Sequence, residues 1–292
     1  MFKIISRLLK HPFNRQHRGA AVMRFLRWQV SCRLLAVPHI MPFVDQTVLV
    51  MEKGMTGATG NWYSGLHEGP DMAFALHFLR ADDLFVDVGA NVGSYTILAS
   101  GAVGARSISF EPIKQTFAKM QRNVAVNRLE RLADCHNIGL GGENGVLYFT
   151  VQNDTTNHVA TESEKSNGDV AEVLVRRLDD VLNDEVPSLI KIDVEGWEAQ
   201  VLAGMSKTLT RSKLKAIIAE TNAASLRYEE SSECSVFRIM AENGFSPYSY
   251  DPFERRLVPG ETPNNTIFLR DIEEVKQRLS SAKKFNLVNG QI

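Results

Sequence analysis

A chain of 292 residues, 44% of them hydrophobic, is long enough to bury a full core and needs no disulfide or metal staple. A net charge of -1 and an isoelectric point near 6.7 give no overall reason to invoke nucleic acid, and none is expected as a partner, although the charge is spread unevenly along the chain. The three cysteines, Cys32, Cys135 and Cys234, stand far apart without a CxxC pair, so neither a disulfide framework nor a zinc site is expected and the thiols read as reduced.

No acid precedes Asp45, and the stretch "RGAAVMRFLRWQVSCRLL" interleaves arginines with apolar residues at helical spacing. Two readings stand: a helix whose apolar stripe packs on the main domain with Arg24 and Arg27 in water, which is preferred, or a peripheral contact with a membrane surface. "WQVSCRLLAVPHIMPFV" is cut by Arg33 and Pro38 and falls short of a bilayer span, and "MFKIISRLLK" is too short for a signal peptide, so a soluble cytoplasmic enzyme is expected. Gly54, Gly57, Gly60 and Gly65 predict an irregular connector until a helix starts near Asp71.

From Ala81 strand-like and helix-like runs alternate: "LFVDV", a helix from about Ser94, "SISF", then "KQTFAKMQRNVAVN". This is the rhythm of βαβ units and a parallel sheet. Asn144-Gly145 reads as a turn into an antiparallel strand, and "NDTTNHVATESEKSNGD" as an exposed loop. "LIKIDV", a helix through "WEAQVLAGM", "LKAIIAE", a helix near "SVFRIMAENG" and late strands at "SPYSY" and "TIFLR" complete the pattern, followed by a fraying helical tail. The expected division is residues 1–80 as a basic helical extension with its Gly-rich lead-in, 81–271 as the α/β domain, and 272–292 as the tail.

Where the first strand meets its helix, Asp87, Gly89, Asn91 and Gly93 crowd one bend. Glycines there admit a ligand close to the backbone, beside unpaired helix N–H groups. The spacing G-A-N-V-G is not the G-x-G-x-x-G that seats a pyrophosphate, so a dinucleotide is disfavoured. Asp87 instead suits a ligand bearing an ammonium and a sulfonium, and Glu111 ends the second strand where an acid can accept the two hydroxyls of a ribose.

The pieces "FVDVGANVGSYT", "FEP", "LIKIDVEGWE" and "IIAE" resemble the FkbM family of class I S-adenosylmethionine-dependent methyltransferases, over roughly Trp62 to Leu269. The resemblance implies a doubly wound, Rossmann-like, mostly parallel seven-stranded sheet with an antiparallel last strand. It also implies O-methylation of sugars, polysaccharides or polyketide-type small molecules. Asp87, Gly89, Asn91 and Gly93 would line the methionine end of S-adenosylmethionine and Glu111 the ribose. Backbone near Asn137 to Gly139 would flank adenine, and Glu68 would lie near the cofactor.

The fourth strand would deliver Asp193 and Glu195 to the carboxyl edge, beside the place where the methyl group must sit. "DVEG" lacks the proline and aromatic residue used to stack a flipped base, which favours a hydroxyl acceptor. An alcohol needs a base: Asp193 first, with Glu195, Glu220 and His158 as alternatives. Asp193 and Glu220 could instead hold a divalent cation such as Mg²⁺. Trp197 is expected to pack its helix against the sheet, with stacking on a sugar as the alternative. Two other functions remain open at this point: a nucleotide-sugar or NAD-dependent oxidoreductase, and a non-catalytic binding protein at a membrane surface.

Overall fold

Continuous apolar runs such as "LFVDV" and "AIIAE" suit strands covered by helices on both faces. In the computed structural model β1 (Leu84–Val88), β4 (Leu189–Ile192) and β5 (Ala216–Glu220) are indeed buried at every position. The structure describes residues 2–35, 37–151, 157–166, 169–222, 225, 227–228 and 235–292. With β2 (Arg106–Phe110), β3 (Ala133–His136), β6 (Ser246–Asp251), β7 (Arg256–Pro259) and β8 (Asn265–Leu269), they form one eight-stranded sheet ordered β7-β6-β8-β5-β4-β1-β2-β3.

Strands β3, β2, β1, β4 and β5 run parallel, and β8 enters antiparallel between β5 and β6. This is the doubly wound sheet expected, with its antiparallel last strand, extended at one edge by the hairpin strand β7. Alternate residues feed two cores: Phe85, Leu189 and Ile218 on one face, Val86, Val88 and Ile190 on the other. Chain order reverses between β1 and β4, and the carboxyl ends of those strands open a crevice.

The basic segment forms α1 (Phe2–Lys10) and α2 (Arg18–Leu34). Leu8, Phe13, Phe25 and Trp28 join the same core cluster as Phe74 and Phe78 of α4 (Gly69–Phe78), so α1, α2 and α4 are packed into the sheet's own core. Arg24, expected in water, is buried and donates to Asn14 Oδ1 at 3.3 Å and the Tyr63 carbonyl at 2.9 Å. The glycine-rich stretch also departs from expectation, because α3 (Thr56–Ser64) is helical through Gly57 and Gly60. A Cβ on Gly60 would lie 2.2 Å from His67 Nδ1, so close ring packing, not irregularity, accounts for that glycine.

After β1, α5 (Ser94–Ile97) widens into a π-helical segment, Leu98–Val103. Next, α6 (Lys114–Val126) buries Met120, Asn123 and Val124. Between β3 and β4 the chain builds a separate three-stranded sheet from Gly139–Leu140, Gly145–Thr150 and Val170–Arg176, with Asn144-Gly145 at the entry to its antiparallel pair. Part of the stretch read as an exposed loop is ordered here: Glu162–Ser166 is a helix, and Val159 bridges to Phe149. The C-terminal residues do not behave as a fraying tail either. The helix Ile272–Ser280 buries Val275 and Leu279, and Phe285 and Ile292 are buried beyond it. Cys32 and Cys135 are free, and Cys234 lies outside the described residues.

Candidate active site

The bend after β1 is held by its neighbours. Gly89 and Ala90 both donate their N–H groups to the Phe110 carbonyl at 3.0 and 2.9 Å. Gly89 has φ 77°, and a Cβ there would meet the Asp193 carbonyl oxygen at 1.9 Å, so the glycine lets β1 and β4 end side by side. Asn91, at φ 52°, donates its N–H to Glu111 Oε2 at 2.9 Å, and the Ile113 N–H takes Glu111 Oε1 at 2.9 Å. Each oxygen keeps a lone pair for a further donor. Burial pushes Glu111 up to about 7 against the pull of these two N–H groups. Asp87 accepts from Thr96 Oγ1 at 2.8 Å, and its burial raises it to about 6.

Register sets Asp87 beside Lys191 on β4. Lys191 is buried, its Nζ 2.9 Å from Asp193 Oδ2 and 3.9 Å from Glu68 Oε2, and it lies over the Tyr95 ring at 5.4 Å from the centroid. Burial alone would lower this lysine, but Asp193, Glu68 and Asp71 outweigh it and hold the amine charged, well above its ordinary range. Glu68 also accepts from the Tyr95 hydroxyl at 2.7 Å and from Asn265 Nδ2 at 3.1 Å. Asn265 gives a second bond of 3.1 Å to Asp71, which burial and the Glu68 charge raise to about 7.

Carboxylate oxygens of Asp193, Glu195 and Glu220 lie within 4.8 Å of one another. Glu195 and Gly196 sit in left-handed backbone at φ 54° and 109°, a tight turn held by Glu198 Oε1, which accepts the Val194 and Gly196 N–H groups at 3.2 Å each. Burial, then the Asp193 charge, raises Glu195 to about 7 and Glu220 to about 8. Glu220 Oε1 accepts from Asn222, while its Oε2 is buried with no hydrogen-bond partner among the described residues.

The bend residues, Glu111, Glu68, Asp193, Glu195 and Glu220 therefore occupy one rim, at the carboxyl ends of β1, β2, β4 and β5 and the head of α4. Asn137 turns its side-chain amide to the Glu111 and Pro112 carbonyls at 2.9 Å each, bracing the turn after β2, and Ile138 and Gly139 of the same segment wall the adjoining slot. One expected residue is placed otherwise. His158, read as solvated, is buried with its Nε2 3.0 Å from Glu164 Oε1, and is not among the side chains that converge with Asp193. Trp197 packs at 89° against Tyr228, with ring centroids 5.1 Å apart, and forms another wall of the slot.

Sequence reasoning missed Lys191, Asp71, Tyr95 and Asn265. Lys191 had a signal: a lysine inside the wholly apolar run "LIKI" has to find buried counter-charges. Asn265 had none, since only the antiparallel insertion of β8 beside β5 brings its side chain to Glu68.

A doubly wound sheet whose last strand, β8, enters antiparallel beside β5, with an acidic rim at the β1–β4 switch, defines the class I methyltransferase fold. The chain belongs to the FkbM methyltransferase family: the model of the methyltransferase FkbM domain matches residues 87–247. "Methyltransferase 1" of Beauveria bassiana is 31% identical over 150 residues, covering 42% of this chain and 59% of that protein. "Hexuronic acid methyltransferase AglP" of Haloferax volcanii is 29% identical over 136 residues, covering 46% of this chain and 54% of the relative. The chain thus spans little more than half the length of these relatives. Among solved structures, precorrin-6y C5,15-methyltransferase of Geobacter metallireducens is 12% identical, covering 70% of this chain and 87% of that one, at a TM-score of 0.40, a likeness too loose to carry an argument. Family membership displaces the oxidoreductase reading, in agreement with the missing pyrophosphate loop.

The fold implies S-adenosylmethionine, and the donor set fits it. An apolar slot of about 20 Å³ between Pro112, Ile138, Phe149 and Trp197 opens next to Gly89, room for about one water, so a purine enters only if these side chains move apart. Glu111 stands at the end of β2 for hydroxyls, and Glu68, Asp71 and Asp87 give the rim the negative charge that an ammonium and a sulfonium require.

Proposed function

We propose that the protein is an S-adenosylmethionine-dependent O-methyltransferase acting on a hydroxyl of a carbohydrate, a glycan or a glycosylated small molecule. The observation that carries this is the meeting of Asp193, Glu195 and Glu220 within 4.8 Å at the crevice, two of them held near neutrality. S-adenosylmethionine, when bound, supplies an electrophilic methyl group on sulfur. The chain's own task is to align the acceptor oxygen and take its proton.

Glu220 is the better base in this reading. Asp193 already neutralises Lys191, whereas Glu220 has a buried oxygen free, and its value of about 8 makes it a strong acceptor that becomes mostly ionised only as pH rises through about 8. Lys191 then serves to fix Asp193 and Glu68. The same three carboxylates offer oxygen ligands to Mg²⁺, which would lower the hydroxyl's pKa directly. A carbohydrate acceptor is supported by the Haloferax volcanii relative, named as a hexuronic acid methyltransferase.

The test is incubation with methyl-labelled S-adenosylmethionine and glycan extracts, followed by mild alkali. A methyl ether survives alkali and supports the proposal, whereas a methyl ester is released and would move the acceptor to a carboxylate. Donor binding by calorimetry with no labelled product from any extract would favour the non-catalytic reading. Exhaustive chelation followed by Mg²⁺ addition separates the base from the metal, because only a metal-assisted enzyme loses and regains turnover.

A further inference from the structure

Eight Lys or Arg and no acid lie before Asp45, so the first 44 residues carry +8 and the remainder -9. Helix α2 uses Ala21, Phe25 and Trp28 to pack on the core, and the opposite face is left apolar. Met23, Leu26, Val30 and Leu34, spaced three and four apart, are 50%, 44%, 57% and 77% exposed. They form one stripe roughly 16 Å long at 1.5 Å per residue. Leu35, Val37 and Ile40 continue it, and eight of the thirteen exposed large hydrophobic residues among those described fall before residue 41. Exposed Arg27 and Arg33 flank the stripe on either side.

Beside this stripe lies a groove of about 570 Å³ whose walls include Met23, Arg24, Arg27 and Trp62 and contain no Asp or Glu. Arg24 is 8% exposed, and its Nη atoms reach only uncharged acceptors: the Asn14 amide and the Tyr63 and Val288 carbonyls. Its Nε and the Trp62 Nε1 are buried N–H groups without a partner among the described residues. A buried guanidinium lacking a counter-anion is costly, and an anion seated in the groove against Arg24 and Arg27 would offset that cost.

We propose that α2 and the groove form a docking surface for an anionic phospholipid membrane: the apolar stripe enters the acyl boundary and a headgroup phosphate binds between Arg24 and Arg27. Charge selects this occupant. The stripe is bordered by cations, as expected for a helix lying in the plane of an acidic leaflet, whereas a second copy would bring the same uncompensated arginines together. The surface is independent of the methyl-transfer reading, since it rests on residues outside the crevice.

The experiment is vesicle flotation of the full chain, with phosphatidylcholine alone and with added phosphatidylglycerol. Wild type is expected to float with the acidic vesicles, to be released by high salt, and to ignore the neutral ones. The double variant Val30→Glu/Leu34→Glu, at exposed positions, should lose flotation while keeping its circular dichroism and its affinity for S-adenosylmethionine. Arg27→Glu should weaken binding by tenfold or more, on the scale of about fivefold for each basic residue at such a surface, because it reverses a charge. No flotation with acidic vesicles at low salt overturns the proposal. So does a concentration-dependent dimer in sedimentation that the Glu pair dissolves, since a second copy would then cover the stripe. Calorimetric binding of inorganic phosphate without vesicle binding would assign the groove to a free anion and likewise overturn it.

Discussion

Asp193 and Glu220 end neighbouring strands, yet their surroundings divide their tasks: one is tied to a buried lysine, the other keeps an unpaired oxygen. Substituting Asp193 leaves Lys191 with Glu68 at 3.9 Å as its remaining close carboxylate, so Asp193→Asn should cost stability as well as turnover, about 3 kcal/mol for breaking a buried pair. Glu220→Gln is the cleaner test. Turnover should fall by roughly 10²-fold with little change in affinity for S-adenosylmethionine, and the rise of wild-type turnover with pH through about 8 should vanish. An unaltered pH profile would remove Glu220 as the base. At Glu111 the same reasoning orders two variants, because both carboxylate oxygens hold backbone N–H groups. Glu111→Gln retains one acceptor and should weaken donor binding less than Glu111→Ala, for which about 1–3 kcal/mol is expected by titration calorimetry. Much of this site was legible because Asp87, Glu111, Asp193 and Glu220 each sit at the end of a recognisable strand. What escaped was the set of groups that satisfy them, since Asn265 and Asp71 come from distant sequence and meet only through the sheet order.

At the scale of elements, the bend after β1 is a packing device as much as a binding loop. Its glycine abuts the backbone of β4, so Gly89→Ala should disturb the strand pairing itself, lowering the melting temperature and donor affinity together. Gly145→Ala is the control, for no atom lies within 4 Å of its Cβ position and its φ is not positive, and it should melt like wild type in a calorimeter. If Gly89→Ala melts like wild type but fails to bind the donor, the bend is a ligand contact alone. The alternating strands and helices of residues 84–269 were readable because apolar runs of five residues bounded by turns admit few other conformations. Helix α3 was not, since glycine was taken as a breaker where it makes room for His67, and β7 was not, since "RRLVP" has no apolar face to betray an edge strand.

Across the whole molecule, positive charge gathers at the N-terminus and buried acids gather at the crevice, and both arrangements bear on stability. Removing residues 1–38 would uncover the partners of Phe13, Phe25 and Trp28 in the shared core, so the truncated chain should melt at lower temperature and aggregate. Melting unchanged from the full chain would show the segment to be dispensable to the core. The acids set a pH dependence. Burial raises Asp87 to about 6, Asp71, Glu111 and Glu195 to about 7 and Glu220 to about 8, so each binds its proton more tightly folded than unfolded. A raised acid contributes its stability fully below the unfolded value, near 4, and loses it as pH climbs through the folded value. His77 works in the opposite sense: burial lowers it to about 4, so its contribution is present above about 6.5 and disappears as pH falls through 4. Below pH 6.5 the two effects oppose each other, and above it only the acids still titrate. The urea midpoint at fixed ionic strength should therefore drop between pH 6.5 and 8.5, with a slope of at most about 1.4 kcal/mol per pH unit for each group. Glu220→Gln should flatten the upper part of that fall, because an amide has no proton to lose. A midpoint that rises over this interval would mean that the crevice acids are already ionised at pH 6.5, and neither Glu195 nor Glu220 would then be poised as the base.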